Sequence, residues 1–545
     1  MAKAKSSGVV KGTMILIAGN LVVKIIGALF KLPLANIIGA DGMGLYNSAF
    51  TVYDIFLVLS TSGYTLAISK LVASNCARGR GDEALRILSS TRRLFWGLGL
   101  FFTAAMLIGS RFYAGLIGNT RSALCILVLA PSVLFVSLMC AYRGYYQGTN
   151  DMLPTTASQI IEAVVRLVCG LSLSWFLKAQ GYGIEIASAG AIAGITIGEF
   201  SSTSSLALMH RVKMRRREKR GAPKPIPRRS RGIYRTLLAT SIPIGVSSII
   251  ISLINVCDNG VVLRRLQSIG YTEQQSNTLY GAFNMAFTIF GLPVTIVFAI
   301  TTSVFPVLSF AHACKNDARV VHISEAALRV GMMVTSAAAA VFASLSGPIV
   351  RVLYFGQPRD AALAGPLLML MTPAAIVLSL SVLTATVLQA VDKLIAPSRS
   401  MIVGGIVCLA SNWVLVGLPQ VGIYGVPAGL FLCYFVTMVL NLAEIRKAGL
   451  RLRYGRLFLR PLLPAAVLGV VAGALSALLV PVCGALNGGL VALAAGLFCY
   501  VLVLFSSGTV ERGDFALLPG GKKAVRILEK LRLLQKPENG VLRSF

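Results

Sequence analysis

The sequence predicts an all-α polytopic membrane protein with about fourteen transmembrane helices. The chain of 545 residues is 56% hydrophobic and only 13% charged, and its mean hydropathy is +0.77. A soluble protein of this length needs more charge to cover its surface. Apolar runs of about 20 residues, long enough to cross a bilayer as a helix, recur from Val9 to Ser507. Ten-residue segments of alternating hydrophobicity are absent, which excludes a transmembrane β-barrel.

The series of apolar runs contains a weak internal repeat. GLYNSAFTVYDIFLVLSTSGYTLAIS follows the first run and TLYGAFNMAFTIFGLPVTIVFAITTSVFP follows the seventh; both begin near Leu-Tyr and contain Ala-Ile near the end. This predicts two six-helix lobes in pseudo-twofold repeat around a central cavity, the plan of a transporter, plus two C-terminal helices. The predicted spans are 12–34, 44–68, 94–110, 122–142, 157–178, 186–208, 236–262, 281–309, 325–346, 363–389, 398–418, 423–443, 461–481 and 487–507.

Loops and composition give the predicted domain boundaries. A basic segment with three prolines separates the first six spans from the rest, as in an extended linker, and the C-terminal segment has apolar residues at helical spacing between Lys and Arg. The predicted regions are an N-terminal six-helix lobe (1–210), a basic cytoplasmic linker (211–232), a C-terminal six-helix lobe (233–447), an additional helix pair (448–507) and a basic amphipathic cytoplasmic tail (508–545).

The net charge of +31 reflects membrane orientation rather than nucleic-acid binding. The basic residues concentrate at the termini and in alternate loops, which is the bias of cytoplasmic segments in membrane proteins. The sequence therefore predicts a multi-pass protein of a cytoplasmic membrane with both termini in the cytoplasm. The basic linker and tail also predict contact with anionic membrane lipids.

Nothing in the sequence predicts a cofactor or an enzyme. The ten cysteines are scattered without a CxxC pair, the three histidines fall in loops or at span ends, and no GxxxxGK[ST] pattern occurs. We expect no metal and no ATP-driven step. A membrane enzyme acting on polyprenyl lipids remains an alternative, as does a scaffold protein without transport activity.

Charged residues inside the predicted spans are candidate functional residues, because a charge at the centre of a bilayer costs about 3 kcal/mol or more. Lys24 and Lys31 lie seven residues apart on one face of the first span. In SQIIEAVVRLVCG, Glu162 and Arg166 lie one turn apart in the fifth span. They are either a self-contained ion pair or part of a site, since one carboxylate leaves guanidinium donors unused.

The second and seventh spans carry further polar residues. Asp54 belongs to a polar stripe that also contains Asn47 and Thr51. Such a stripe is predicted either to line a cavity or to hold helices together, and Asp54 alternatively pairs with a lysine of the first span. In the seventh span the candidates are Asn255, Asp258, Arg264 and Arg265; either arginine is also placed to anchor the helix at the interface. Glu199 in the sixth span has no evident partner in the sequence. The excess of cations favours an anionic substrate.

Four motifs extend the sequence reading to a family. RGYYQGTNDMLPTTASQIIEAVVRL, KIIGALFKLPLANIIGADGMGLYNSAF, SGYTLAISKLVA and CDNGVVLRRLQSIGYT resemble the stage V sporulation protein B group, over nearly the whole chain. That group belongs to the multidrug/oligosaccharidyl-lipid/polysaccharide exporter superfamily and is similar to the lipid II flippases.

The resemblance implies a function in sporulation, cell-wall or polysaccharide biosynthesis. It implies fourteen helices with an alternating-access cavity, a polyprenyl-pyrophosphate-linked sugar as the substrate, and a groove for the lipid tail at spans 461–481 and 487–507. Lys24 matches a cavity cation of the flippases and Lys31 is displaced by one residue. Their arginines in the second and eighth helices have no match here, since 282–309 is uncharged; Arg264 and Arg265 are the candidates to compensate.

We therefore predict a flippase whose cavity cations are Lys24, Lys31, Arg166, Arg264 and Arg265. Supporting or ion-coupling roles are predicted for Arg143, Asp54, Glu162, Asn255 and Asp258. The expected partners are the lipid-linked oligosaccharide and anionic lipids, with no nucleic acid. The protein is expected to act as a monomer, near enzymes of cell-wall synthesis. A multidrug/cation antiporter of the same superfamily is the principal alternative, although it favours acidic residues over cations in its cavity.

Overall fold

The structure is a computed structural model, and it describes residues 2–219, 231–453 and 460–507. Part of the predicted linker and the whole predicted tail (508–545) lie outside the described residues. Within the described ranges the regular structure is α-helical, apart from two short 3₁₀ turns. The helices are α1 (Ala2–Thr61), α2 (Tyr64–Ala77), α3 (Gly81–Ile108), α4 (Ser110–Ile117), α5 (Ala123–Gly148), α6 (Met152–Ala179), α7 (Ile184–Lys219), α8 (Arg231–Ser268), α9 (Glu273–Ala313), α10 (Asp317–Leu353), α11 (Pro358–Leu370), α12 (Thr372–Ala390), α13 (Ala396–Leu415), α14 (Gly425–Lys447) and α15 (Leu462–Ser506).

Ten helices of the described chain are long and apolar enough to cross a membrane, or eleven if α3 and α4, bent by 63°, form one span. Both α1 and α15 turn sharply inside, at Gly39 (φ 68°) and Gly484 (φ 79°), where left-handed backbone favours glycine. Each of these two helices therefore covers two predicted spans. Because α8 covers the predicted seventh span, the helices account for all fourteen, and the predicted fold class is confirmed.

Contacts divide the chain into two compact units. Unit 1 comprises Met1–Thr288, Tyr354–Ala364 and Gly405–Gly429, and unit 2 comprises the described residues of Ile289–Leu353, Gly365–Gly404 and Leu430–Phe545. In unit 1, α2, α3 and α5 bury Ile68, Phe95 and Tyr146 in a shared core. In unit 2, one core joins α9, α10 and α12, and a second joins α10 to α15. The predicted lobe boundaries stay a prediction.

Within unit 1, α7 packs closely on α6 through three glycines spaced four residues apart. A Cβ added at Gly190 would lie 2.6 Å from Leu177 Cδ1, and one at Gly194 would lie 2.3 Å from Gly170 Cα. A Cβ at Gly198 would lie 2.9 Å from the carbonyl oxygen of Glu162. Small residues at this spacing allow helix backbones to approach within a membrane. The approach brings α7 against the turn of α6 that carries the predicted charged pair.

Candidate functional site

The predicted pair Glu162 and Arg166 forms part of a bridge between two helices. Arg166 Nη2 donates to Glu162 Oε1 at 2.9 Å along α6, and Arg143 Nη2 on α5 donates to Glu162 Oε2 at 3.0 Å. The side chains are partly buried, with exposed fractions of 17% for both Arg143 and Glu162. One carboxylate therefore serves two guanidinium groups, so the self-contained intrahelical pair is an incomplete description.

Arg143 is fixed by further contacts from two directions. Its Nε donates to Ser158 Oγ on α6, and its Nη2 also donates to Ser202 Oγ on α7, both at 3.3 Å. Ser202 in turn donates to the backbone carbonyl of Ser158 at 3.0 Å. Arg143 thus ties α5, α6 and α7 together and fixes Glu162, while its own donors are largely used by protein acceptors.

Arg166 retains donor capacity that the protein does not use. Its Nε is buried and has no hydrogen-bond partner among the described residues. The ammonium of Lys31 on α1 is half-buried and lies near enough to Arg166 for the two cations to interact electrostatically. A guanidinium with an unused donor beside a second cation is suited to an anion with several acceptor oxygens, such as a phosphate.

Glu199 on α7, for which the sequence showed no partner, interacts electrostatically with Arg166. We call Lys31, Glu162, Arg166 and Glu199 the Arg166 cluster. Glu199 Oε1 accepts a hydrogen bond from the Tyr53 hydroxyl of α1 at 2.6 Å, while Oε2 is buried without a partner in the described structure. Electrostatic interactions link Arg166 with Glu199 and with the tyrosines Tyr46 and Tyr53. The sequence signal that locates Glu199 is its position directly after the third glycine of the α7 series, which faces α6.

Two other predicted residues of α1 occupy different surroundings. Lys24 is exposed and lies seven residues, or two helical turns, before Lys31 on the same helix. Asp54 accepts a hydrogen bond from Ser252 Oγ of α8 at 2.6 Å, and one turn away Asn259 Nδ2 lies 3.4 Å from Thr51 Oγ1. The polar stripe of the second span therefore makes hydrogen bonds to α8.

The candidates of α8 have separate partners within unit 1. Asp258 Oδ1 accepts from Asn412 Nδ2 of α13 at 2.7 Å and from Cys408 Sγ at 3.8 Å. Asn255 is exposed. The structure does not connect these side chains to the Arg166 cluster by any described hydrogen bond or ion pair.

Arg264 and Arg265 both bond to backbone carbonyls. Arg264 donates to the carbonyls of Gly115 (2.9 Å) and Leu116 (3.0 Å) at the end of α4. Arg265 donates to the carbonyl of Trp413 at 2.9 Å, and its guanidinium carbon lies 4.7 Å from the centre of that indole ring. Both arginines thus stabilise a helix end in the described structure, and their role as cavity cations stays a prediction.

A second charged network, which sequence reasoning missed, lies in unit 1 beside the turn of α1 at Gly39. Arg121 donates to both carboxylate oxygens of Asp41, at 3.0 and 2.9 Å, and to Glu185 Oε1 at 2.8 Å. Asn277 Nδ2 donates to Asp41 Oδ1 at 2.6 Å. Thr120 Oγ1 donates to Glu273 at 2.8 Å. The network therefore joins α1 to α9 through residues more than 200 positions apart in the sequence.

No group of three or more His, Cys, Asp or Glu residues in the described ranges is placed to hold a metal ion.

Comparison with known proteins assigns the chain to a family. The family model "Polysaccharide biosynthesis protein" matches residues 9–312. The chain is 27% identical over 444 residues to "Stage V sporulation protein B" of Bacillus subtilis (strain 168), covering 80% of this chain and 83% of the relative. It is 22% identical over 433 residues to "Lipid II flippase MurJ" of the same organism, covering 76% of this chain and 78% of that protein.

Solved structures show the same fold at low sequence identity. A structure of "Lipid II flippase MurJ, inward closed conformation" is similar with a TM-score of 0.70 and 15% identity, covering 90% of this chain and 98% of that one. An inward-facing multidrug resistance MATE family transporter of the MOP superfamily is similar with a TM-score of 0.61 and 14% identity, covering 79% and 98%. The chain therefore has a MurJ- and MATE-like transporter fold.

Proposed function

Because the chain belongs to the polysaccharide biosynthesis protein family, we propose that it is a flippase for a polyprenyl-pyrophosphate-linked sugar. The substrate is a lipid II-like peptidoglycan precursor or a polysaccharide unit, moved from the cytoplasmic to the outer leaflet by alternating access. The similarity to stage V sporulation protein B and to a lipid II flippase supports this proposal. Transport, rather than bond making or breaking, is the function.

The observation that carries the proposal is the unused donor of Arg166 beside Lys31. A diphosphate has several acceptor oxygens and a charge that matches two cations in a partly buried site. Arg166 meets the diphosphate, Glu162 and Arg143 hold Arg166 in place, and Lys31 adds a second charge. Lys24, further along the same face of α1, guides the headgroup toward the cluster. Arg264 and Arg265 are the remaining predicted cations.

The lipid tail stays outside the helices. Each CH₂ kept in an apolar environment stabilises the bound lipid by about 0.8 kcal/mol relative to water. Moving the long polyprenyl chain into a polar cavity is therefore unfavourable. In unit 2, α15 carries strongly exposed apolar side chains, among them Val470, Leu478, Val482 and Phe498. These side chains suit contact with lipid tails, and the two halves of α15 are the proposed place for the substrate's chain.

Headgroup movement requires that the network at the Gly39 turn open. With both termini in the cytoplasm, this turn lies at the outer face, so Arg121 and Asp41 close the outer end of α1 against α9. Membrane potential acting on charge supplies about 2.3 kcal/mol per charge per 100 mV. Ion coupling through Asp258 or Asp54 is the other proposed driving force.

The proposed setting is the cytoplasmic membrane of a bacterium, in sporulation, cell-wall or capsule synthesis. The protein acts as a monomer near cell-wall synthesis enzymes, in a membrane that contains anionic lipids.

The experiment that tests the function uses the full chain in proteoliposomes with lipid II in one leaflet. Wild-type protein is expected to accelerate appearance of the headgroup in the opposite leaflet. Lys31→Ala and Arg166→Ala proteins at the same density are expected to be slower, because these two cations are proposed to meet the diphosphate. Wild-type transfer rates in both variants would refute the cationic cavity. Export of cationic dyes without movement of lipid II would instead identify the antiporter function.

A further inference from the structure

A cavity of about 630 Å³ lies in unit 2 where α13 begins and α14 ends. It is within the range of small-molecule sites, which run from about 300 to 1,000 Å³. Its lining carries three basic residues, Lys393, Arg399 and Lys447, and two carboxylates, Asp392 and Glu444. The rest of the lining is largely apolar and includes Leu394, Ile395 and Val403. The cavity is separate from the Arg166 cluster, which belongs to unit 1.

The basic residues of this cavity differ in whether they hydrogen-bond to the protein. Lys447 donates to Glu444 Oε1 at 2.7 Å. Lys393 and Arg399 lie within electrostatic range of the same carboxylate, but their side chains have no hydrogen-bond partner among the described residues. Both are exposed. Two cations therefore flank the cavity with donors available to an anion.

The backbone fixes the position of these cations. Asp392 adopts a left-handed conformation (φ 62°), which ends α12 and brings the Lys393 amide to the carbonyl of Leu388 at 2.9 Å. Directly after the lining residue Val403, α13 approaches α14 closely at Gly404, where a Cβ would lie 2.2 Å from Thr437 Oγ1. The cavity is thus framed by a capped helix end and a close helix crossing.

The apolar side chains beside the cations are exposed. Leu394 and Ile395 are 64% and 62% exposed, and Val403, one turn after Arg399 in α13, is 44% exposed. In this cavity, exposed apolar residues lie next to basic residues at a helix end. In a membrane protein this combination matches an amphiphile with an anionic head and an acyl chain. Neither feature alone selects a lipid, but their adjacency at one cavity does.

We propose that this cavity binds an anionic phospholipid. The phosphate contacts Lys393 and Arg399, and one acyl chain lies along Ile395 and Val403. The leaflet depends on the orientation in the proposed function, which makes it the cytoplasmic one. The binding itself does not depend on lipid II transport.

The test measures lipid adducts of the full chain by native mass spectrometry. Phosphatidylglycerol is titrated against phosphatidylcholine with the same acyl chains. The double variant Lys393→Gln and Arg399→Gln is compared with Arg446→Gln and Arg451→Gln, two exposed basic residues outside the cavity. We expect about tenfold weaker phosphatidylglycerol binding in the first variant and little change in the control. The variant Lys393→Arg is expected to bind normally.

Three results would overturn the proposal. The first is equal phosphatidylglycerol binding by the wild type and the cavity variant at matched melting temperatures. The second is equal loss in the control, which would indicate diffuse surface charge. The third is displacement of the bound lipid by millimolar inorganic phosphate, which would mean that the acyl chain contributes nothing. Loss of phosphatidylglycerol binding with unchanged lipid II flipping supports this site, whereas absent flipping in the wild type refutes only the proposed function.

Discussion

Arg143 Nη2 donates a hydrogen bond to Glu162 Oε2 at 3.0 Å, joining α5 to α6. Since Arg166 occupies the other oxygen of the same carboxylate, Glu162 holds two arginines. Because Glu162 also binds Arg143, the effect of exchanging Glu162 and Arg166 depends on the Arg143 contact. If Glu162 served Arg166 alone, the exchanged pair would re-form along α6.

We expect the exchange Glu162→Arg with Arg166→Glu to fail. The new arginine at position 162 would face Arg143, and breaking a buried charge pair costs about 3 kcal/mol or more. The measurement is the melting temperature of the purified protein, followed by the flipping rate. Adding Arg143→Gln to the exchange should recover part of the lost melting temperature. An exchange variant as stable as the wild type would mean that the Arg143 contact contributes nothing.

The glycines of α7 give a prediction about helix packing. Gly194→Ala should lower the melting temperature, because the new Cβ would lie 2.3 Å from Gly170 Cα and force α7 away from α6. Glu199 and Glu162 would move apart with the helices, so flipping should fall too. The matched control is Gly97→Ala in α3, where no atom lies within 4 Å of the added Cβ. Equal effects of the two substitutions would contradict the close-packing account.

The Arg121–Asp41 pair predicts coupling between two residues far apart in the sequence. Arg121→Ala and Asp41→Ala should each slow flipping and destabilise the protein, and the double variant should be no worse than either single one. Residues in one ion-pair network show coupling energies of about 0.5–3 kcal/mol. The double-mutant cycle is measured by thermal unfolding. The control is Glu185→Ala, whose side chain is 44% exposed and which should cost less. Strictly additive effects would remove Arg121 from the closure of the outer face.

Arg265 tests whether a predicted cavity cation binds substrate or anchors a helix. In the structure it stacks on Trp413 and donates to its carbonyl. If anchoring is its role, Trp413→Leu should lower the melting temperature about as much as Arg265→Gln. Lipid II binding should then be unchanged in both. If Arg265 binds the diphosphate, Arg265→Gln alone should weaken binding, which is measured with polyprenyl diphosphate in detergent.

The sequence predicts the helices better than it predicts the partners of their charged residues. Each segment that hydropathy marked as a span falls on helix in the described structure, because a membrane imposes a length and an apolar composition on such segments. Spacing within one helix placed Glu162 beside Arg166, since residues four apart share a face. It did not reveal Tyr53 as the partner of Glu199, because these residues lie 146 positions apart and meet only through packing of α1 against α7.

The same limit applies to Asp41 and Arg121. Each lies near the end of a span, where charged residues are common, so neither stands out in the sequence. Only the turn of α1 at Gly39 and the approach of α9 bring Asp41, Arg121 and Asn277 together. For Asp54 the sequence allowed a lysine partner, a cavity position or a contact that holds helices together, but it did not identify Ser252 of α8 as the hydrogen-bond donor.

The most direct measurement of the central claim is the affinity of the full chain for polyprenyl diphosphate, with and without its two clustered cations. The variant Lys31→Gln with Arg166→Gln is compared with Lys70→Gln and Arg80→Gln, which remove the same charge from exposed positions. Each charge-assisted contact to the diphosphate is worth about 1.5–3 kcal/mol, so we predict a loss of about 100-fold or more in the first variant and wild-type affinity in the control. Unchanged affinity in a correctly folded Lys31→Gln and Arg166→Gln protein would contradict the proposal that this cluster binds the substrate.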